Sequence, residues 1–68
     1  MNRDPERLED FYLQLKNIHK RTFPDFRFSQ LMCNFLGWVQ AYKGDPFFYE
    51  EDRMLQYLKE YEAEHTRK

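Results

Sequence analysis

The spacing of apolar residues in the first third of the chain predicts an amphipathic helix. These residues recur at steps of three and four, as they do on one face of a helix: Leu8, Phe11, Tyr12, Leu15 and Ile18. Asp4 is a favoured N-cap, and Pro5 suits the first helical position. Pro24 ends the segment, because the residue before a proline is disfavoured in the α conformation. We predict helix 1 at residues 5–21.

A second apolar pattern follows Pro24 and predicts helix 2 at residues 26–43. Asp25 is the expected N-cap, and Gly44 is the expected stop at the other end. One face of the helix carries Phe28, Leu31, Met32, Phe35, Val39 and Tyr42. Gly37 inside this helix costs about 1 kcal/mol relative to alanine, so we expect a packing reason for it.

A third pattern predicts helix 3 at residues 49–64, after one loose turn at Phe47 and Phe48. Acidic side chains favour the start of a helix, and this segment opens with Glu50, Glu51 and Asp52. Its apolar face carries Met54, Leu55, Leu58 and Tyr61. No segment shows the sustained alternation that is typical of a strand.

The predicted fold is therefore all-α, with three helices around an aromatic-rich core in one domain over residues 1–68. Residues 1–4 and 65–68 are expected to fray. Seven Phe, five Tyr and one Trp supply the core, and this aromatic content argues against intrinsic disorder. Ordering costs about 1.5 kcal/mol per residue, so a chain of this size needs dense packing or a partner subunit.

Charge and cysteine content narrow the classes of function. Eleven Lys and Arg face twelve Asp and Glu, for a net charge of −1, which gives no electrostatic reason to expect nucleic acid. No apolar run approaches the roughly 20 residues of a membrane span. The single cysteine, Cys33, excludes an internal disulfide and suits a reducing compartment. We expect a cytoplasmic protein that does not bind membranes.

The residue types that carry chemistry are not arranged as in known sites. His19, Cys33 and His65 do not have metal-ligand spacing. Ser29 and Cys33 are the candidate nucleophiles, and neither lies in a glycine-rich elbow. With only two glycines in the chain, a phosphate-cradling loop is not expected. We predict no catalytic, cofactor or metal site, and we expect that the protein is not an enzyme.

Glu51 falls inside the apolar arc of helix 3, where an unpaired carboxylate is costly. Arg27 lies near the start of helix 2, so an Arg27–Glu51 ion pair would tie the two helix starts together. The alternative interpretation is that Arg27, Gln30 and Asn34 form a polar recognition surface. We favour the structural pair and keep the recognition surface as the second hypothesis.

Helix 2 differs from the other two helices because residues 28–42 contain no charge. The side opposite its apolar arc carries a row of small residues at four-residue steps: Ser29, Cys33, Gly37 and Ala41. Such a row lets another helix backbone approach closely, with a crossing angle near −50°. We expect helix 2 to be covered on both sides, either by helices 1 and 3 of the same chain or by a second copy across a two-fold axis.

These patterns favour a non-catalytic interaction protein that associates with itself or with another protein. The alternative is a small DNA-binding transcriptional regulator, since three-helix proteins often carry a recognition helix. Helix 2 has no cation between Arg27 and Lys43, and helix 3 opens with acids. A recognition helix needs cations near phosphate, so the interaction protein is the leading hypothesis.

Two motifs add a resemblance to a known group. The first is Pro24-Asp25-Phe26-Arg27-Phe28-Ser29-Gln30-Leu31 followed by Asn34, and the second is Asp45-Pro46-Phe47-Phe48-Tyr49-Glu50-Glu51-Asp52. With these motifs the chain resembles a family of small bacterial and phage or prophage proteins of unknown function. Ser29 stands where the family pattern has glycine, and Arg53 stands where an acid is common. The resemblance implies a bacterial or phage cytoplasmic protein and implies no particular activity.

Overall fold

The computed structural model describes residues 4–66, which contain three α-helices and one short 3-10 turn. The helices are α1 (Arg7–Thr22), α2 (Phe28–Tyr42) and α3 (Glu51–Thr66), and the 3-10 turn is Pro46–Phe48. The described residues contain no strand. This confirms the predicted all-α fold, including the turn expected at the two phenylalanines.

Local hydrogen bonds explain where the observed helices differ from the predicted ones. α1 begins at Arg7 because a turn precedes it, in which the Asp4 carboxylate accepts from the backbone N–H of Glu6 at 2.9 Å. α3 continues to Thr66, whose hydroxyl donates to the carbonyl of Glu62 at 3.2 Å. Residues 65 and 66 therefore belong to α3, while residues 1–3 and 67–68 lie outside the described part.

The main packing is between α1 and α3, which run in the same direction. Arg7 Nε lies 2.8 Å from Glu51 Oε1, so the two helix starts are together. Toward the other end, Arg21 donates to both carboxylate oxygens of Glu62 at 2.7 and 2.8 Å, and the Thr22 hydroxyl also donates to Glu62. Between these two ion pairs the helices bury their apolar faces against each other.

α2 packs across α3 in the opposite direction. The ring centres of Phe35 and Trp38 each lie 5.5 Å from the ring centre of Tyr61. Lys43, just after α2, forms an ion pair of 2.9 Å with Glu60 and lies 5.3 Å from the centre of the Tyr57 ring. As residue numbers rise along α2, they fall along α3, which defines the antiparallel arrangement.

The core draws on all three helices and on the connection between α1 and α2. Its buried residues are Ile18, Phe23, Leu31, Phe35, Val39, Tyr57, Leu58 and Tyr61. Phe23 stacks on Tyr61 and on Phe26, with ring centres 5.5 and 5.4 Å apart. Aromatic pairs of this kind add about 0.5–1.5 kcal/mol beyond area burial, and they supply the dense packing that the composition predicts.

The α2–α3 connection depends on Gly44, which has φ +110°. This conformation is rarely adopted by residues with a side chain, and the Tyr49 hydroxyl packs over the same glycine. That hydroxyl donates to the carbonyl of Lys43. Asp45 then caps the 3-10 turn, because its carboxylate accepts from the backbone N–H of Phe47 at 3.0 Å. The connection is therefore held by specific hydrogen bonds at both of its ends.

Candidate functional site

The two sides of α2 have opposite environments. Leu31, Phe35 and Val39 form a buried stripe with exposed fractions of 3% or less. On the other side, the small residues Ser29, Cys33, Gly37 and Ala41 are all exposed. We call this second side, together with the exposed Gln30, Asn34, Leu36 and Gln40 around it, the open face of α2.

Gly37 shows that the open face has no intramolecular cover. A Cβ atom built on Gly37 would meet nothing within 4 Å. The expectation of coverage on both sides by helices 1 and 3 is therefore wrong, because both of those helices lie on the buried side of α2. Within one chain, Gly37 has no packing reason that offsets its cost to the helix.

The amide side chains of α2 have different roles. Gln30 Oε1 accepts from the backbone N–H of Arg27 at 2.8 Å, which satisfies one of the amide groups that a helix start leaves unpaired. Gln30 therefore helps to begin α2, and Arg27 takes the N-cap position that was expected for Asp25. Asn34 and Gln40 are exposed on the open face.

The predicted Arg27–Glu51 ion pair is corrected by the structure, in which Glu51 pairs with Arg7. The prediction placed the start of α2 beside the start of α3. Because α2 runs opposite to α3, its start lies near the other end of that helix. Arg27 is exposed, and the Arg7–Glu51 pair, which is only partly exposed, joins α1 to α3 instead.

Exposed aromatic residues at the ends of α2 are features that the periodicity did not reveal. Phe28 and Tyr42, the first and last residues of α2, keep 61% and 73% of their surface exposed. They lie on the predicted apolar arc, but the other helices do not cover the ends of that arc. Phe47 and Phe48 in the 3-10 turn are exposed by 83% and 76%. In the sequence, the acidic residues before and after Phe47 and Phe48 were the available signal that these two side chains are exposed.

A cleft of about 500 Å³ lies between the starts of α1 and α3. It is lined by Arg7, Asp10, Phe11, Glu50, Glu51, Asp52 and Leu55. The Arg7–Glu51 ion pair belongs to its wall, so the cleft is part of the junction between these helices. Residues 4–66 contain no group of three or more His, Cys, Asp or Glu side chains that is arranged to hold a metal ion.

Three of the resolved pKa shifts belong to groups at contacts between helices. The hydrogen bonds from Arg21 lower the pKa of Glu62, and the hydrogen bond with Glu60 raises the pKa of Lys43. Burial, followed by the charge of Glu64, raises the pKa of Tyr61. Lys43, Tyr49 and Arg53 each have a raised pKa to which Tyr57 contributes, so some of these groups cluster at the α2–α3 connection.

No described helix has both the length and the apolar character that a membrane crossing requires.

Comparison with known proteins finds no relative of this chain. No family model matches the chain, and neither a curated protein nor a solved structure matches it.

Proposed function

We propose that this protein is a non-catalytic interaction module that forms a homodimer through the open face of α2. In this proposal it is a cytoplasmic protein of bacterial or phage origin, as the sequence motifs imply. The observation that carries the proposal is Gly37, which lies in mid-helix on an exposed, uncharged face with open space above it.

The absence of charge on α2 supports a covered face. Charged residues make up 34% of the chain, yet residues 28–42 contain none. A solvated helix face ordinarily carries charged and polar side chains. Removing an uncharged face from water avoids the high cost of burying unpaired ions. The row at Ser29, Cys33, Gly37 and Ala41 would also let a partner backbone approach closely.

A second copy fits this face better than a charged partner. The face has no ionic group that would select a partner of opposite charge. The exposed amides of Asn34 and Gln40 each contain a donor and an acceptor, so they can pair with identical groups across a two-fold axis. A short chain with a small core also gains stability when a copy covers additional apolar surface.

The test is Gly37→Leu, studied by sedimentation equilibrium over a range of concentrations. Wild-type protein is expected to dimerise, while the variant is expected to sediment as a monomer because the leucine blocks close approach of the helices. The monomer should retain its helical circular dichroism, since the added side chain enters open space. Gln56→Leu is the matched control, because it adds the same side chain at an exposed position of α3 and should leave the dimer intact. A wild-type monomer at high micromolar concentration would overturn the proposal.

A DNA-binding regulator is the competing function, and the same protein sample tests it. A DNA-binding protein is retained on random duplex DNA at low salt and loses affinity steeply as salt rises. The open face presents amides without a cation, so we expect no retention. Salt-sensitive retention that Gly37→Leu leaves unchanged would favour the regulator over the interaction module.

A further inference from the structure

Phe47 and Phe48 form an aromatic pair that projects from the α2–α3 connection. Their ring centres are 5.2 Å apart and the rings meet edge to face. The turn that presents them is held by the Asp45 cap and by a hydrogen bond from the Tyr49 N–H to the Pro46 carbonyl at 3.3 Å. We call Phe47 and Phe48 the aromatic knob. Because the backbone is already fixed, docking these rings costs less ordering than docking a mobile loop.

The sequence around the aromatic knob is acidic. Residues 44–52 contain four acids, Asp45, Glu50, Glu51 and Asp52, and no base. The Asp45 carboxylate lies directly beside the knob, because it accepts from the Phe47 N–H. A surface that receives the knob therefore needs an apolar floor and a basic edge.

A cleft of this chemistry occurs in the same chain. It has a volume of about 410 Å³ and is lined by His19, Lys20, Pro24 and Phe26, which we call the basic cleft. Pro24 and Phe26 supply apolar surface, and Lys20 supplies the exposed cation. The ion pairs among residues 4–66 involve Arg7, Arg21 and Lys43, and Lys20 takes part in none of them.

The walls of the basic cleft are held in place by the fold. His19 Nε2 donates to the carbonyl of Phe26 at 2.7 Å, which closes the connection between α1 and α2. Phe26 also stacks on the buried Phe23. The one acid in this connection, Asp25, lines a neighbouring cleft together with His65. The walls of the basic cleft are therefore set by the fold of one chain, and the cleft is shallow and open to solvent.

The knob and the basic cleft lie beyond opposite ends of α2. The cleft is in the connection before Phe28, and the knob is in the connection after Tyr42. A helix of 15 residues is about 22 Å long, so the knob of one chain does not reach its own cleft. Two antiparallel copies of α2 bring each knob to the end of the molecule that carries the partner's cleft.

The area that a stable dimer interface buries also requires contacts beyond the open face. A stable dimer buries about 800 Å² on each partner. The open face is a strip about 22 Å long and about 10 Å wide, and its side chains are mostly small. Each exposed phenylalanine offers roughly 150 Å² or more of further surface. Two reciprocal contacts between knob and cleft therefore bring the interface toward the size of a stable one.

We propose that the dimer is antiparallel and two-fold symmetric, with the aromatic knob of each copy docked in the basic cleft of the other. This inference rests on the proposed self-association and specifies its geometry. Both contacts are made at once, so the assembly closes as a dimer and does not extend into a filament. The occupant of the basic cleft is thus Phe47 and Phe48 of a second copy, with Asp45 facing Lys20.

Zero-length cross-linking of the wild-type protein tests the contact directly. A carbodiimide couples the Lys20 amine to a carboxylate only where the two lie in contact. In a mixture of ¹⁴N- and ¹⁵N-labelled protein, mass spectrometry should find mixed-isotope peptides that join Lys20 to Asp45 or Glu50. A dimer in which Lys20 couples across chains only to carboxylates far from the knob would overturn this geometry.

Substitutions measure how much the same contact contributes to the stability of the dimer. Lys20→Glu and Phe47→Ser should each raise the dimer dissociation constant at least tenfold in sedimentation equilibrium. The controls are Lys59→Glu and Leu13→Ser, which make the same changes at exposed positions of α3 and α1 and should leave dimerisation unchanged. Circular dichroism establishes that each variant is folded.

The outcomes separate this inference from the proposed function. If Gly37→Leu abolishes the dimer while Lys20→Glu and Phe47→Ser leave it intact, the open face is the interface and the contact between knob and cleft is refuted. If wild-type protein stays monomeric, the proposed function fails, and this inference fails with it.

Discussion

The buried stripe and the open face of α2 belong to the same fifteen residues but face different surroundings. Leu31 and Val39 have no exposed surface, whereas Gly37 between them faces open space. The buried stripe is completed by α1 and α3 within one chain. The open face has the uncharged composition of a contact surface and lacks a contact. The comparison teaches that the uncharged composition of α2 predicts burial of both of its faces. The fold of one chain covers only one of them.

The largest expected effect tests the buried stripe. Leu31→Ala should lower the free energy of unfolding by about 2–5 kcal/mol, because it removes a fully buried side chain and leaves a cavity. Urea denaturation in dilute solution, where the monomer predominates, measures the change. Leu36→Ala is the control on the same helix, and we expect it to cost less than about 1 kcal/mol because Leu36 is exposed. Equal losses at the two positions would contradict the distinction between the two sides of α2.

A smaller effect of opposite sign tests the open face. Gly37→Ala should raise the free energy of unfolding of the monomer by about 0.5–1 kcal/mol, because alanine is the better helix former and its Cβ enters open space. The measurement is thermal or urea unfolding in dilute solution, where the monomer predominates. Ala41→Gly provides the reverse change at an exposed position of the same row and should destabilise the helix. A loss of monomer stability in Gly37→Ala would show that the space above Gly37 is filled within one chain.

The smallest expected effect concerns Arg27, which lies at the start of α2. Arg27→Ala should change the free energy of unfolding by no more than about 0.5 kcal/mol, because surface substitutions away from specific contacts have small effects. The bond that Arg27 makes to Gln30 uses its backbone N–H, which alanine retains. Gln30→Ala is the comparison and should cost about 1 kcal/mol through loss of this capping bond. A loss of several kcal/mol in Arg27→Ala would support the ion pair with Glu51 that the sequence predicted.

The candidate surface was visible in the sequence only in part. The absence of charge between residues 28 and 42 and the four-residue row that includes Gly37 are both readable without a structure. The basic cleft was not predictable, because it forms from side chains on both sides of a turn. The exposure of Phe28 and Tyr42 was also missed, because helical periodicity assigns a face and does not show how far a neighbouring helix extends along it.

The sequence by itself determined the three helices and the breaks between them. Periodicity, Pro24 and Gly44 act over a few residues, and helical hydrogen bonds link residues only four apart, so local information was sufficient. The tertiary structure alone decided that Glu51 pairs with Arg7, and that the open face of α2 stays uncovered within one chain. These outcomes depend on the directions in which helices pack, and packing direction is set by the combined burial of distant side chains rather than by any local pattern.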